Sequence, residues 1–279
     1  LTKAPQQAEV VITATDGATM HQGRIVSLNG KRVWAAMGVA LYGNYLPQNV
    51  CVGQRWAMTL RLRAVHGELN DGGYDSQKNA FARHQTLSGR FTHAEIVDAH
   101  CSLRAQYLTS LQNTLSAYQW GTVILGLGMG ERLSVSREIK NLMRETGTMH
   151  LMAISGLHIA LAASVIWFLA RGIQFFLPGR WIIWQIPLLA GLIFAAFYSW
   201  LTGLQPPALR TVIALVALAA LKMSGRQWSP WQVWLTCVAA ILIFDPLAVL
   251  SQSLALSAFA VAALIFWYQW LPLPHWQRG

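Results

Sequence analysis

The chain has 279 residues, of which 54% are hydrophobic and 11% charged, and it carries a formal net charge of +10. Ordinary soluble domains hold about 25% charged residues, so this composition excludes both a conventional soluble globule and a disordered polar chain. The positive balance favours anionic partners, either phospholipid headgroups or nucleic acid, although no Lys/Arg block forms a dedicated nucleic-acid arm. The charge is uneven: 15 Lys/Arg and 10 Asp/Glu precede Met149, whereas 6 Lys/Arg and a single acid, Asp245, follow it. The sequence opens at Leu1 without a signal-peptide pattern and reads as a piece of a longer protein.

Residues 1–100 read as a small β domain. Glu9–Thr15 alternates and is β-branched, with Asp16-Gly17 as its stop. Gly23–Leu28 and Lys31–Ala35 flank Asn29-Gly30, a strong two-residue hairpin signal. Gln54–Val65 places Trp56, Met58, Leu60 and Leu62 on one side and Arg55, Thr59, Arg61 and Arg63 on the other. Asn70–Gly73 is a loop, Ser76–Gln85 a short helix capped by Asp75 or Ser76, and Gly89–Val97 a further strand. Five strands and one helix suit a barrel of the oligonucleotide/oligosaccharide-binding (OB) type, and such barrels often bind single strands. Arg55, Arg61 and Arg63 are therefore candidate DNA contacts; the alternative is an ordinary solvated strand face. If this region lies outside the cytoplasm, Cys51 and Cys101 are available for a disulfide. Cys237 lies in an apolar segment and reads as buried.

Residues 101–147 read as interfacial. Leu103–Tyr118 is an amphipathic helix with Leu103, Tyr107, Leu108, Leu111 and Leu115 on one side. Gly121–Gly130 is apolar but shorter than the ~20 residues a span needs, which points to a close-packed or re-entrant piece. Ser134–Gly147 is a second amphipathic helix with a glycine stop.

Residues 148–279 read as a polytopic membrane domain, with apolar segments at Met149–Leu169, Trp181–Leu201, Pro207–Met223, Trp231–Phe244 and Leu250–Trp270. Arg171, Arg180, Lys222, Arg226, His275 and Arg278 fall at alternate segment ends. The positive-inside rule puts those ends in the cytoplasm and the amino-terminal region outside. Trp181, Trp184, Trp200, Trp228, Trp231, Trp267 and Trp270 sit near segment ends, as an aromatic belt would. Polar groups inside such segments are the informative ones: His150, Ser155 and His158 in the first, Arg210 after the Gly203–Pro207 break, and Asp245. On one continuous helix, His150 and His158 lie roughly on the same side. Arg210 alternatively snorkels to a headgroup.

No P-loop and no His-Glu-x-x-His motif occurs, and no dense His/carboxylate cluster suggests a metal. No cofactor is called for. Ser155-Gly156 followed by His158 permits an intramembrane serine hydrolase, because residues three apart on a helix are neighbours; no separate oxyanion loop is evident. A purely structural membrane scaffold is the remaining reading.

With these residues in view, the chain resembles the ComEC family of competence proteins. The resemblance rests on Gly147–His158, close to that family's His-Leu-Leu-Ala-Ile-Ser-Gly-Leu-His stretch; on Leu127-Gly128-Met129-Gly130-Glu131-Arg132; on Gly203–Arg210; and on Asp245-Pro246 followed by Leu256-Ser257. Asn70–Asp75 resembles part of the family's extracytoplasmic OB-like domain. The chain departs from the pattern at Ser253, Leu254 and Ala258, where the family usually carries Gly, Phe and Phe. The resemblance implies an α+β inner-membrane protein with an extracytoplasmic OB-like barrel and a truncated competence domain. It further implies a passage for single-stranded DNA in natural transformation. Candidate channel-lining residues are then His150, Ser155, Gly156, His158, Gln205, Pro206, Arg210 and Asp245. Single-stranded DNA and membrane lipid are the implied partners, with other DNA-uptake proteins and further copies of the chain as candidates. The metallo-β-lactamase-like domain of many members is absent from these residues, so the chain is expected not to be an enzyme.

Overall fold

The computed structural model describes residues 4–15, 20–43, 46, 50–67, 73, 75–131, 135–149, 155–176 and 184–270. They form two compact units, Leu1–Ala153 and Ile154–Gly279.

The first unit is built on a closed five-stranded barrel of β1 (Gln6–Thr15), β2 (Met20–Leu28), β3 (Lys31–Tyr42), β4 (Arg55–Ala64) and β5 (Gln85–Asp98). Their order around the barrel is β1-β2-β3-β5-β4, with β3 and β5 parallel and the other pairs antiparallel. Closure removes the exposed edges that an open sheet would present. The alternation read from the sequence is the inward face: Val10, Ile12, Ile25, Val39, Leu41, Trp56, Met58, Leu60 and Leu62 fill the core. The β2–β3 hairpin turns at Asn29 and Gly30, both at positive φ (49° and 76°), as a two-residue turn between right-twisted strands requires.

Helix α1 (Ser76–Ala82) follows β4, and the Asp75 side chain accepts the Lys78 amide at 2.8 Å as its cap. Helices α2 (Leu103–Leu115), α3 (Gly121–Met129) and α4 (Arg137–Glu145) complete this unit. Helix α2 buries Ala105 and Leu108, whereas Leu103 and Tyr107 are exposed. The expected apolar side is thus narrower, centred on Ala105 and Leu108. The glycine-rich stretch, expected to be close-packed or re-entrant, is a short helix that is closely packed at its start. Gly121 permits its close approach to α2, where a Cβ would lie 2.2 Å from the Leu115 carbonyl oxygen.

Arg104 on α2 ties this helix to the end of α3, donating from Nη2 to the Met129 carbonyl at 3.1 Å and standing 3.9 Å from Glu131. Burial raises the Glu131 carboxyl above its usual range, with the Arg104 charge pulling the other way, and burial also lowers Arg104. Desolvation therefore outweighs attraction on both sides. A carboxyl whose folded pKa is raised stabilises the fold when protonated, and it loses that contribution as pH rises through the raised value. Glu131→Gln is accordingly expected to leave the melting temperature at neutral pH unchanged or higher. Arg104→Ala, which removes the Met129 bond, is expected to cost about 1–3 kcal/mol. Thermal melts of the two variants check the contrast.

The second unit contains α5 (Gly156–Phe175), α6 (Gln185–Leu201), α7 (Pro206–Met223), α8 (Pro230–Phe244), a 3-10 turn (Pro246–Leu250) and α9 (Gln252–Trp270). Among the described residues, α5, α7 and α9 are long and apolar enough to cross a membrane, and α6 and α8 are shorter apolar helices. Large apolar side chains such as Leu161, Phe168, Ile193, Phe197, Leu264 and Phe266 face outward. An outward apolar surface of this extent is of the kind that a membrane or a protein partner covers.

The helices meet through alanines together with larger branched apolar residues. Ile159, Ala163, Ala195 and Ala208 join α5, α6 and α7; Ile241, Ala248 and Leu254 join α8, the 3-10 turn and α9. A Cβ on Gly191 would stand 3.0 Å from the Ala163 carbonyl oxygen, which shows how closely α6 approaches α5.

Candidate functional site

Two groups of polar residues stand out, one in each unit. On the barrel, Arg55, Arg61 and Arg63 all point outward from β4, as their alternation with the core residues dictates. They are not equivalent. Arg55 lies opposite Asp98 on β5, whose carboxylate is half-exposed. Hydrogen bonds from the His100 amide and ring hold the Asp98 carboxyl below its usual range, and the Arg55 charge adds to this. Arg61 and Arg63 face Arg90 and Ser88 instead. Neither arginine has an acidic partner among the described residues. Arg90 escaped sequence reasoning because cross-strand neighbours are set by register, not by spacing along one strand.

Cys51 and Cys101 are joined in a disulfide with Cα atoms 5.7 Å apart. The surrounding bonds explain why they meet. The Ser102 amide donates to the Val52 carbonyl at 2.9 Å, and the Gly53 amide donates to the Ile12 carbonyl at 2.9 Å. Gln54 Oε1 accepts from the Cys51 amide and from Trp56 Nε1, both at 3.2 Å. Gly53 has φ +105°, and a Cβ there would lie 2.7 Å from the Ser102 nitrogen. The start of β4 and the exit of β5 are thus clasped together beside the buried Trp56.

His150 lies outside the described residues. Ser155 is the extended N-cap of α5 (φ −90°, ψ 159°), so the helix begins at Gly156 and the expected continuous helix from Met149 is not formed. A run of apolar residues reads as helix until a cap interrupts it, and here Ser155 is that cap. His158 occupies the third helical position. Its Nδ1 accepts the Ser155 amide at 3.2 Å and contacts the Ser155 hydroxyl at 3.0 Å. The pair therefore closes the first turn of α5. An amide donating to Nδ1 puts the neutral ring's proton on Nε2.

Gly156 lets the first turn of α5 touch α7: a Cβ at Gly156 would lie 2.2 Å from Thr211 Oγ1. The Gln205 cap (φ −60°, ψ 146°) and Pro206 begin α7, immediately after Gly203 and Leu204 at positive φ. One turn on, Arg210 is 8% exposed, so it does not reach out to a headgroup. Its Nη1 donates to Ser253 Oγ at 2.9 Å, and Ser253 Oγ is 2.8 Å from Ser251 Oγ. Asp245, the C-cap of α8, is the acid whose charge reaches Arg210. Arg210 Nε finds no acceptor among the described residues.

The start of α5 touches α7 near its own start, and Arg210 binds the start of α9. Ser155, Gly156, His158, Gln205, Pro206, Arg210 and Asp245 therefore gather at one end of the helical unit, where the N-termini of α5, α7 and α9 converge. Each N-terminus carries partial positive charge, and Arg210 adds a full one. Ser253, one of the departures noted in the sequence, supplies the Arg210 acceptor. Among the described residues no group of three His, Cys, Asp or Glu side chains is placed to hold a metal ion.

Comparison with known proteins fits this arrangement. The chain is 65% identical over 99% of its length to an uncharacterized protein, YcaI, of Escherichia coli, covering 37% of that protein. It is 35% identical to Recombination protein 2 of Haemophilus influenzae, with 80% of the chain and 28% of the relative aligned. It is 34% identical to Competence protein ComA of Neisseria gonorrhoeae, with 81% and 34% aligned. The chain thus spans about a third of the length of these relatives. The family described as Competence protein matches residues 127–279, from the last turn of α3 through the whole helical unit and more than half of the chain. The chain therefore belongs to the competence-protein family.

Proposed function

We propose that this chain forms the barrel and the first part of the membrane region of an inner-membrane protein that admits single-stranded DNA during natural transformation. The convergence of three helix N-termini around the buried Arg210 is the observation that carries this reading. A polyanion cannot enter hydrocarbon unaided, and the N-terminal ends of helices in a membrane protein are suited to meeting anionic groups. Asp245 gives the site its second property. A carboxylate near Arg210 weakens its hold on a phosphate, and conduction requires a site that releases as well as binds.

Orientation follows from charge. Arg171, Lys222 and Arg226 lie at the opposite ends of α5 and α7, which the positive-inside rule assigns to the cytoplasm. The Arg210 end then faces outward, as does the amino-terminal barrel, on the oxidising side where the Cys51–Cys101 bridge persists. A hydrolytic reading draws on the 3.0 Å contact between Ser155 Oγ and His158 Nδ1. The first-turn bonds already account for that contact, and labelling of Ser155 by a fluorophosphonate would be needed to sustain hydrolysis.

Arg210 is the residue to test, in a transformable bacterium whose own family member is replaced by a full-length protein carrying this chain. Arg210→Gln is expected to lower transformation at least tenfold at equal membrane abundance, with Arg210→Lys intermediate because it keeps the charge but not the planar fork. Normal transformation with Arg210→Gln contradicts the reading.

A further inference from the structure

The strand register brings together residues that are far apart in sequence. Tyr42 on β3 lies opposite Arg90 on β5, and Arg90 lies opposite Arg61 on β4. The neighbouring row, Leu41, Gly89 and Leu62, is the inward one: a Cβ on Gly89 would meet Leu62 Cδ2 at 3.0 Å and Leu41 Cδ2 at 3.5 Å. Tyr42, Arg90 and Arg61 therefore project together on the outside, and all three are exposed. Arg63 stands two residues along β4 from Arg61, about 6.8 Å away at the usual rise. Like charges directly opposite on antiparallel strands are destabilising, and Arg61 and Arg90 have no carboxylate partner among the described residues. The acids of β5, Glu95 and Asp98, lie at the other end of that strand, beside His93, His100 and Arg55.

We propose that the row Tyr42–Arg90–Arg61, with Arg63, is the barrel's contact surface for single-stranded DNA: the arginines take backbone phosphates and Tyr42 stacks on an unpaired base. This rests on the reading of the chain as a DNA-uptake protein and assigns the face that first holds the strand. Two features favour a single strand over the alternatives. An exposed aromatic ring among arginines suits bases whose faces are free, which those of a duplex are not. The outward neighbours Thr59, Ser88 and Thr92 are polar, so the face lacks the apolar flank that enters a lipid surface.

The full chain in phosphatidylcholine nanodiscs, titrated with a fluorescent oligothymidylate over a range of salt, tests this. Arg61→Gln/Arg90→Gln is expected to weaken binding tenfold or more and to flatten the salt slope by about 1.4, at ~0.7 for each phosphate left without its arginine. Tyr42→Ala is expected to weaken it by roughly 5- to 100-fold while Tyr42→Phe does not. Melting temperatures serve as the control for folding: removing the like-charged pair should hold or raise them. Wild-type affinity in the double variant overturns the row while leaving DNA uptake through the helical unit standing. Duplex DNA binding as tightly as the single strand, with Tyr42→Ala silent, overturns the stacking role. Arginine-dependent binding to phosphatidylglycerol vesicles with none to oligothymidylate overturns the proposal in favour of a membrane contact.

Discussion

Gly156→Ala is expected to disrupt the helical unit even though alanine is the better helix former. Propensity favours alanine over glycine by about 1 kcal/mol. Against that, the new methyl would stand 2.2 Å from Thr211 Oγ1. Thr211 offers little relief, because its hydroxyl donates to the Pro207 carbonyl at 3.0 Å and its branched side chain has no flexible end. Helices α5 and α7 would have to separate at the Arg210 end, at an overpacking cost of about 1–3 kcal/mol. Loss of folded, monodisperse protein in detergent and of transformation should go together. Thr211→Ala removes the clashing oxygen, and the next atom, Thr211 Cβ, lies at 3.5 Å. The double variant Gly156→Ala/Thr211→Ala is therefore expected to recover most of the stability that Gly156→Ala alone removes, the coupling that touching residues show. Equal damage in the single and double variants would contradict the contact.

The second large effect is at the barrel. Cys51 and Cys101 are separated by 50 residues. Closing a loop of that length is worth about 4 kcal/mol in the chain-entropy description. That is a large share of the ~5–15 kcal/mol that keeps a domain folded. Cys51→Ser, or reduction of the wild type, is expected to lower barrel stability by about 2–4 kcal/mol and to speed amide exchange in β4 and β5, the two strands the clasp joins. Exchange rates unaffected by reductant would show that the hydrogen bonds around Gly53 and Ser102 hold the clasp without the bridge.

The strands were legible because their alternation is local: Trp56, Met58, Leu60 and Leu62 face inward whatever the topology. The hairpin was legible because Asn29-Gly30 supplies two residues that tolerate positive φ. The parallel β3–β5 pairing was not, because it closes a barrel between segments far apart in the chain, and Tyr42 and Arg90 became neighbours only through it. In the helical unit, hydropathy marked the apolar segments but not their starts. Met149–Ile154 is as apolar as the helix after it, and only the cap at Ser155 shows where α5 begins. The functional emphasis on Ser155, Gly156 and His158 was readable as a motif, but their work was not. Gly156 makes room for Thr211, and Ser155 and His158 close a helix turn. Arg210 was visible as a cation in an apolar segment; its partner Ser253, 43 residues on, was visible only as a departure from a pattern.

On the proposed function, single-stranded DNA passes the end of the helical unit where α5, α7 and α9 begin. Photocrosslinking during uptake tests it most directly, with a benzophenone side chain placed one position at a time in a full-length protein carrying this chain. Crosslinks to incoming DNA are expected at Gln205 and Ser253 and not at the outward-facing Phe197 or Leu264. DNA entering the cell with no crosslink at Gln205 or Ser253, or with crosslinks equally strong at Phe197 and Leu264, would contradict it.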